Sequence, residues 1–430
     1  MLVTLFSTKS TSKFNVITNL LFSSFFYLIL VSIPTCSFNK KLMFLTWIFA
    51  TLLLFTMIVK ILVAGRLVCN VTLLVSYILL VASMLLSSLL NWNGAFTLTP
   101  YILTGVAFVS FLFFSSFEEL RQWSFLLVFA SMVSFLLIFI VLYYKELIAR
   151  DFYRLGTAFG DQNEVAMFMA LGACFTVYFF MFRSGAIRKI LLGILFLTFV
   201  YCGFSTGSKL FILTLSGCVT FLIFAYFNKR WWLSILVLCA IAIVGVVVLA
   251  LPAFASYRDR ILGFLKFFLP GANGLTDFST YERYEMFIGA LHMFSTKPIF
   301  GFGTLGFAQF SSFGRGCHNT YGQMLCNYGL IGFLLFFFPF ALSFYLYGKA
   351  QKNGREKLSV MMVLFFVLCA FSLYLDIQKI YAFTIPLAYA ELTKHGGRWN
   401  YNFSFRNFFD WYYLKCFCKR KTRNIYFTNE

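Results

Sequence analysis

The chain has 430 residues, 61% of them hydrophobic and only 12% charged, with a net charge of +20. Globular domains carry about 25% charged residues, so an ordinary polar shell around a soluble core is excluded. The surplus of lysine and arginine does not point to nucleic acid, because basic residues gather on the cytoplasmic side of membrane proteins.

The apolar residues come in long runs, starting with "FNVITNLLFSSFFYLILVSI" at 14–33. About 18 or more such residues suffice to cross a bilayer as a helix. The alternating segments of roughly 10 residues that mark a membrane β-barrel do not occur. The fold class is therefore an all-α polytopic membrane protein. Spans are expected near 14–32, 42–63, 67–90, 96–116, 123–143, 164–182, 188–204, 209–227, 231–251, 319–347, 358–375 and 379–393, about twelve transmembrane helices in all. No small-residue cleavage site follows the first run, which reads as a retained helix. The short loops "RSGAIRK", "NKR" and "GKAQKNGREK" are basic and "NWNGAFT" is uncharged. Charge in short loops sets orientation, so both termini are expected in the cytoplasm. The chain then divides into helices one to nine over 1–251, a long extracytoplasmic loop over 252–318, helices ten to twelve over 319–393 and a basic cytoplasmic tail over 394–430. That tail, rich in aromatic and basic residues, suits a surface of anionic headgroups. The eleven cysteines fall mostly inside apolar runs, where they act as small hydrophobes. Cys416 and Cys418 alone are too few for a structural zinc site.

Loops beyond about 15 residues are usually functional or disordered, and the loop at 252–318 does not have a disordered composition. "YRDRILGFLKFFL" (257–269) alternates basic and apolar faces like a helix lying in the interface. "STYERYEMFIGALHMF" (279–294) opens with Ser279 and Glu282 in capping-box spacing. Pro298 and the glycine-rich "FGFGTLGF" follow, and then "GRGCHNTYGQMLCNYGLIGF", where Gly314 and Gly316 are expected to turn the chain into the next span. No internal repeat of the kind found in many transporters is present.

The ionisable residues expected on the outer side form a cationic face. Arg154, Asp161, Asn163 and Glu164 precede one span, and Ser208-Lys209 joins two others. The long loop adds Arg258, Arg260, Lys266, Arg283, Lys297, Arg315 and His318. Positive charge outside runs against the orientation rule, and a bound anion is its simplest reason. Arginine grips phosphate bidentately and lysine as a point charge. A lipid-linked pyrophosphate or a solute anion would both fit. Arg258, Arg260 and Lys266 are read chiefly as lipid contacts, and Arg283 as a ligand for the anion. His318 titrates near neutrality and is a candidate base, or a histidine that merely caps a helix beside Asn319 and Thr320. Glu164 is the second choice for a base. His292, nine residues from Arg283 and so half a turn round the helix, is read as packed. His395 falls in the tail. No D-x-D occurs, so no metal ligands of the usual sugar-nucleotide transferase kind are visible, and no cofactor is expected.

The run "RYEMFIGALHMFSTKPIFGFGTLGF" followed by "HNTYGQMLCNYGLIGFLLF", late in a chain of about twelve spans, resembles the O-antigen ligase and polymerase family of bacterial surface-polysaccharide enzymes. The resemblance covers roughly 150–340 and is carried by Pro298, Gly301, Gly303, His318, Asn319, Gly329 and Gly332, with weaker echoes in "RLGTAFGDQNEVA" and "STGSKL". Members usually have Ser-Arg where this chain has Ser208-Lys209, which puts a bidentate role at position 209 in doubt. The resemblance implies a metal-independent glycosyltransferase of the inner membrane, its active site facing outward. Its donor and acceptor would be undecaprenyl-pyrophosphate-linked glycans, with Arg283 and Arg154 on phosphate and His318 as the essential histidine. A chain-length regulator is an expected partner. Polymerisation of repeat units, ligation of a finished glycan to a lipid core and, in a different class, flipping of a lipid-linked oligosaccharide all stay open. Lys209, Arg315, Asn319, Glu164 and Asn163 are the remaining candidate substrate-binding residues.

Overall fold

The computed structural model describes residues 8–36, 43–91, 97–149, 155–159, 161–182, 185–250, 258–259, 262, 278–349, 354–375, 378–394 and 400–404. Each expected span has one helical counterpart. These are α1 (Thr8–Cys36), α2 (Met43–Ala64), α3 (Val71–Leu90), α4 (Thr99–Ser116), α5 (Glu118–Ala149), α6 (Gln162–Phe182), α7 (Ala186–Ser205), α8 (Lys209–Phe227), α9 (Trp231–Ala250), α12 (Thr320–Lys349), α13 (Gly354–Cys369) and α14 (Lys379–Thr393). Between α9 and α12 lie α10 (Phe278–Thr296) and the short α11 (Gly306–Phe310). Among the described residues nine helices are long and apolar enough to cross a membrane, and the protein is an all-α polytopic membrane protein. Helices suit that setting because every backbone donor and acceptor is satisfied within its own segment.

The bundle is built around α6, buried without interruption from Val165 to Thr176. It packs on α5, α7, α8 and α13, while α14 lies against α4 and α13. α14 is enclosed along almost its whole length, which is why 15 residues of only moderate hydrophobicity are stable there.

The long apolar helices alternate between two ends of the bundle. At one end a buried ion-pair group forms: Arg121 Nε donates to Glu391 Oε2 at 2.8 Å, and Lys394 meets Glu391 and, at 3.7 Å, Glu356. Beside it, β1 (Arg66–Asn70) pairs antiparallel with β2 (Asn400–Ser404), Arg66 opposite Ser404 and Asn70 opposite Asn400. Two expectations change here. The span drawn from 67 starts at Val71, where Asn70 Oδ1 caps it by accepting from Leu73 N at 3.3 Å. Residues 400–404 are a strand paired with 66–70, whereas 405–430, and with them Cys416 and Cys418, lie outside the described residues.

The other end collects the starts of α4, α6, α8, α12 and α14 and the finishes of α3, α5, α7 and α13, and its organising device is a break in α12. Gly329 has φ 67° and ψ −167°, a conformation that only glycine adopts readily. The break would strand backbone groups in an apolar setting, where each unsatisfied one costs several kcal/mol. The turn at 298–303 takes them up: Phe302 N donates to Cys326 O at 2.9 Å, Gly303 N to Asn327 O at 2.7 Å, and Leu330 N to Pro298 O at 2.8 Å. Ser87 Oγ adds a bond to Asn327 O at 2.9 Å, and Asn327 Oδ1 receives Phe307 N at 3.0 Å. The two strands of this clasp touch so closely that a Cβ on Gly301 would stand 2.5 Å from Cys326 O, and one on Gly329 2.3 Å from Ile299 O. The turn is thereby locked to α3 and α12, and the segment that follows it is delivered to a fixed place at the start of α12.

Candidate functional site

A cleft of about 440 Å³ opens at this end, lined by Asp161, Gln162, Asn163, Ser279, Glu282, Arg283, Met286, Arg315 and His318. A second hollow of about 180 Å³, lined in addition by Gly207, Ser208, Lys209 and Thr280, shares Gln162, Asn163, Ser279 and Arg283 with it. The two form one groove between the first turns of α6, α8 and α10 and the residues that lead into α12.

His318 enters the cleft on a left-handed backbone, φ 51°. Its neighbours hold it there. Cys317 N donates to Gln323 Oε1 at 3.0 Å, and the Cys317 thiol points at Met286 O at 3.6 Å. Thr320 N donates to Ala370 O at 2.7 Å. The imidazole packs against the Tyr374 ring, centroids 5.0 Å apart. Gly316 makes room for that ring, since a Cβ there would lie 2.7 Å from it; of the two glycines expected to turn the chain, Gly314 has a positive φ. Among the described residues Nδ1 of His318 has no hydrogen-bond partner and is sealed from solvent, and the residue lines the cleft. Burial lowers the His318 pKa, Arg283 and Arg315 push it the same way, and Asp161 and Glu282 oppose them. The balance favours the neutral ring, the form able to accept a proton. Burial also pushes the Tyr374 hydroxyl up to about 12.

The cations are placed by packing between elements. Arg283, on the first turns of α10, reaches Ser372 Oγ at 3.4 Å through Nη1. Lys209, the first residue of α8, donates from Nζ to Thr280 Oγ1 at 2.6 Å and so ties α8 to α10. Arg315 pairs with Glu282. That pairing changes the capping-box expectation: α10 begins at Phe278, one residue before Ser279, and Glu282 turns toward Arg315. Asn163 receives Ser208 Oγ at 2.7 Å on its Oδ1 and so bridges α6 to the start of α8.

Other sequence candidates fall elsewhere. Asn319 caps α12, its Oδ1 accepting from Gly322 N at 3.0 Å and its amide reaching Phe371 O at 3.3 Å. Glu164 is bound by Gln378 Nε2 at 2.9 Å and is not part of the groove lining. Two carboxylates face the cleft, Glu282, held by Arg315, and Asp161, which also caps α6 by accepting from Asn163 N at 2.8 Å. The signal of Asp161 was readable as an Asp just ahead of a helix. Tyr374 had none, because its approach to His318 depends on the turn after α13. His292 is exposed and not packed, since half a turn from Arg283 faces away from α12. Arg154, Arg260, Lys266 and most of the expected interfacial helix over 257–269 lie outside the described residues, as does His395. Arg258 is described and sits beside Asp259 at 3.7 Å. Leu155, next to Arg154, donates its N–H to Ser205 O at 3.0 Å, which anchors that strand of backbone at the finish of α7.

Comparison with known families matches residues 193–337 to the family described as O-antigen ligase. That span runs from within α7 through the cations of the groove and His318 to the far side of the Gly329 break. Comparison with curated proteins gives no match.

Proposed function

Starting from the O-antigen ligase-type domain that this membrane protein carries over residues 193–337, we propose that it is a glycosyltransferase polymerising bacterial surface polysaccharide. In this reading it joins undecaprenyl-pyrophosphate-linked repeat units on the outer face of the cytoplasmic membrane. The observation that carries the reading is the groove itself, which brings His318, its cationic form disfavoured by burial and by two arginines, together with Arg283 and Lys209. A pyrophosphate seated toward Lys209 and Arg283 presents its sugar to His318. The acceptor hydroxyl oxygen bonds to the anomeric carbon as the bond from that carbon to the pyrophosphate oxygen breaks. The lipid pyrophosphate leaves with the electron pair, and His318 takes the hydroxyl proton. Fixed cations facing the charge that develops on the leaving group stabilise the transition state without reorganising. Inversion at the anomeric carbon follows from a single displacement. The cations sit at one end of the bundle and do not line a path through its middle, which favours transfer over transport.

The test is polymerisation of a defined lipid-linked repeat by the purified protein. The wild type yields a ladder, and His318→Ala removes it at equal protein level. A ladder of normal length from His318→Ala would overturn the base assignment. Transfer of a single glycan to a lipid core without lengthening would assign the protein to ligation instead.

A further inference from the structure

A second polar hollow lies at the ion-pair end of the bundle, away from the groove. It measures about 490 Å³ and is lined by Gln122, Trp123, Phe125, Leu126, Tyr178, Phe179, Arg188, Arg355 and Leu358. Among the described residues two guanidinium groups face it and no carboxylate does. Among the described residues Arg355 Nη1 is buried without a hydrogen-bond partner, although an unsatisfied buried donor, above all a charged one, is costly. Arg188 and Arg355 lie in the first turns of α7 and α13, whose positive dipole ends favour an anion, and Gln122 lies one turn into α5. Everything polar about the hollow asks for an anion.

The remaining wall says which kind. Phe125, Phe179 and Leu358 make an apolar floor, and Leu126 and Trp123, 44% and 62% exposed, continue it onto the outer surface of the bundle. A free phosphate would leave that wall in contact with nothing it prefers. A headgroup phosphate with acyl chains running down the wall satisfies both parts, with an indole at the level where tryptophan anchors in membrane interfaces. Basic pockets between spans recognise anionic headgroups in this way. We propose that Arg188 and Arg355 form a binding site for the headgroup phosphate of an anionic phospholipid, its chains lying along Leu126 and Phe179.

The test uses the full-length protein in nanodiscs and the fluorescence of Trp123, read as the difference between wild type and Trp123→Phe. Brominated phosphatidylglycerol is expected to quench this signal at least twice as strongly as brominated phosphatidylcholine at equal mole fraction. The excess should vanish in Arg188→Gln/Arg355→Gln. Equal quenching by the two lipids in the wild type overturns the proposal without recourse to any variant. Loss of the excess when millimolar inorganic phosphate is added would assign the pair of arginines to a free anion, and overturns it too.

Discussion

His318 takes its chemistry from its surroundings more than from its residue type. To accept a proton it must be neutral, and its pKa lies below the ordinary 6.5 because burial and two arginines disfavour the cation. The sign follows directly. Transfer rate should hold level as pH falls from 7 through 6.5 and decline only as pH passes the lowered value. Arg315→Gln removes a cation that holds the pKa down and leaves Glu282 opposing it, so the acid limb moves up. Asp161→Asn removes a charge that raises the pKa, so the limb moves down. Rate–pH profiles of the three proteins check this, and a shift of both variants in one direction would contradict it. His318→Ala itself should cost about 10²- to 10⁴-fold, the usual worth of a positioned base. Arg283→Gln should cost about 10²- to 10³-fold, as for one lost donor to a developing oxyanion. That His318, Arg283 and Lys209 line one groove was legible because they are polar residues stranded in an apolar chain. The partners that tune them were not. Tyr374 and Ser372 reach the groove through a turn that no periodicity announces, and Glu164 looked available until Gln378, 214 residues on, was seen to bind it.

At the scale of elements, the glycines of the family-like signature do backbone work. Gly301 and Gly303 read in sequence as a glycine-rich turn and Gly329 as part of the following helix, and the structure joins them where that turn plugs a break in the helix. A β-carbon has no room at Gly329, 2.3 Å from a backbone oxygen, and the φ of 67° is strained for any other residue. Strain of that kind costs about 1–3 kcal/mol before any overlap is counted. Gly329→Ala and Gly301→Ala are therefore expected to lower the melting temperature and the yield of folded protein. Gly314 shares a positive φ of 63° but has nothing within 4 Å, so Gly314→Asn should fold normally. Thermal unfolding in detergent separates the two cases, and equal loss at all three positions would refute the clasp. The helices themselves were legible because hydrophobic length alone specifies a span. The ribbon of 66–70 with 400–404 was not, since strand pairing at a separation of more than 300 residues leaves no local pattern to read.

Across the whole molecule, α14 ties the two ends together. Gln378, just ahead of its start, binds Glu164 beside the groove, and near its finish Glu391 is buried between Arg121 and Lys394. A helix of 15 residues fixed at both ends sets the spacing between the ion-pair end and the groove. Arg121 and Glu391 are 3% and 0% exposed and neutralise each other, with Lys394 also on Glu391 and Glu118 3.8 Å from Arg121. Removing one partner from such a pair leaves a buried charge and costs about 3–5 kcal/mol, whereas replacing both with apolar side chains of similar size is often neutral or stabilising. Arg121→Ala should accordingly unfold at a lower temperature than wild type. Arg121→Met/Glu391→Leu should recover most of that loss, since Lys394 keeps Glu356 as a partner. If the pair serves only to seat α14, the double variant will also polymerise at the wild-type rate, because the groove's own residues are untouched. A double variant that is stable yet inactive would show that charge at this end, and not merely the position of α14, reaches the groove.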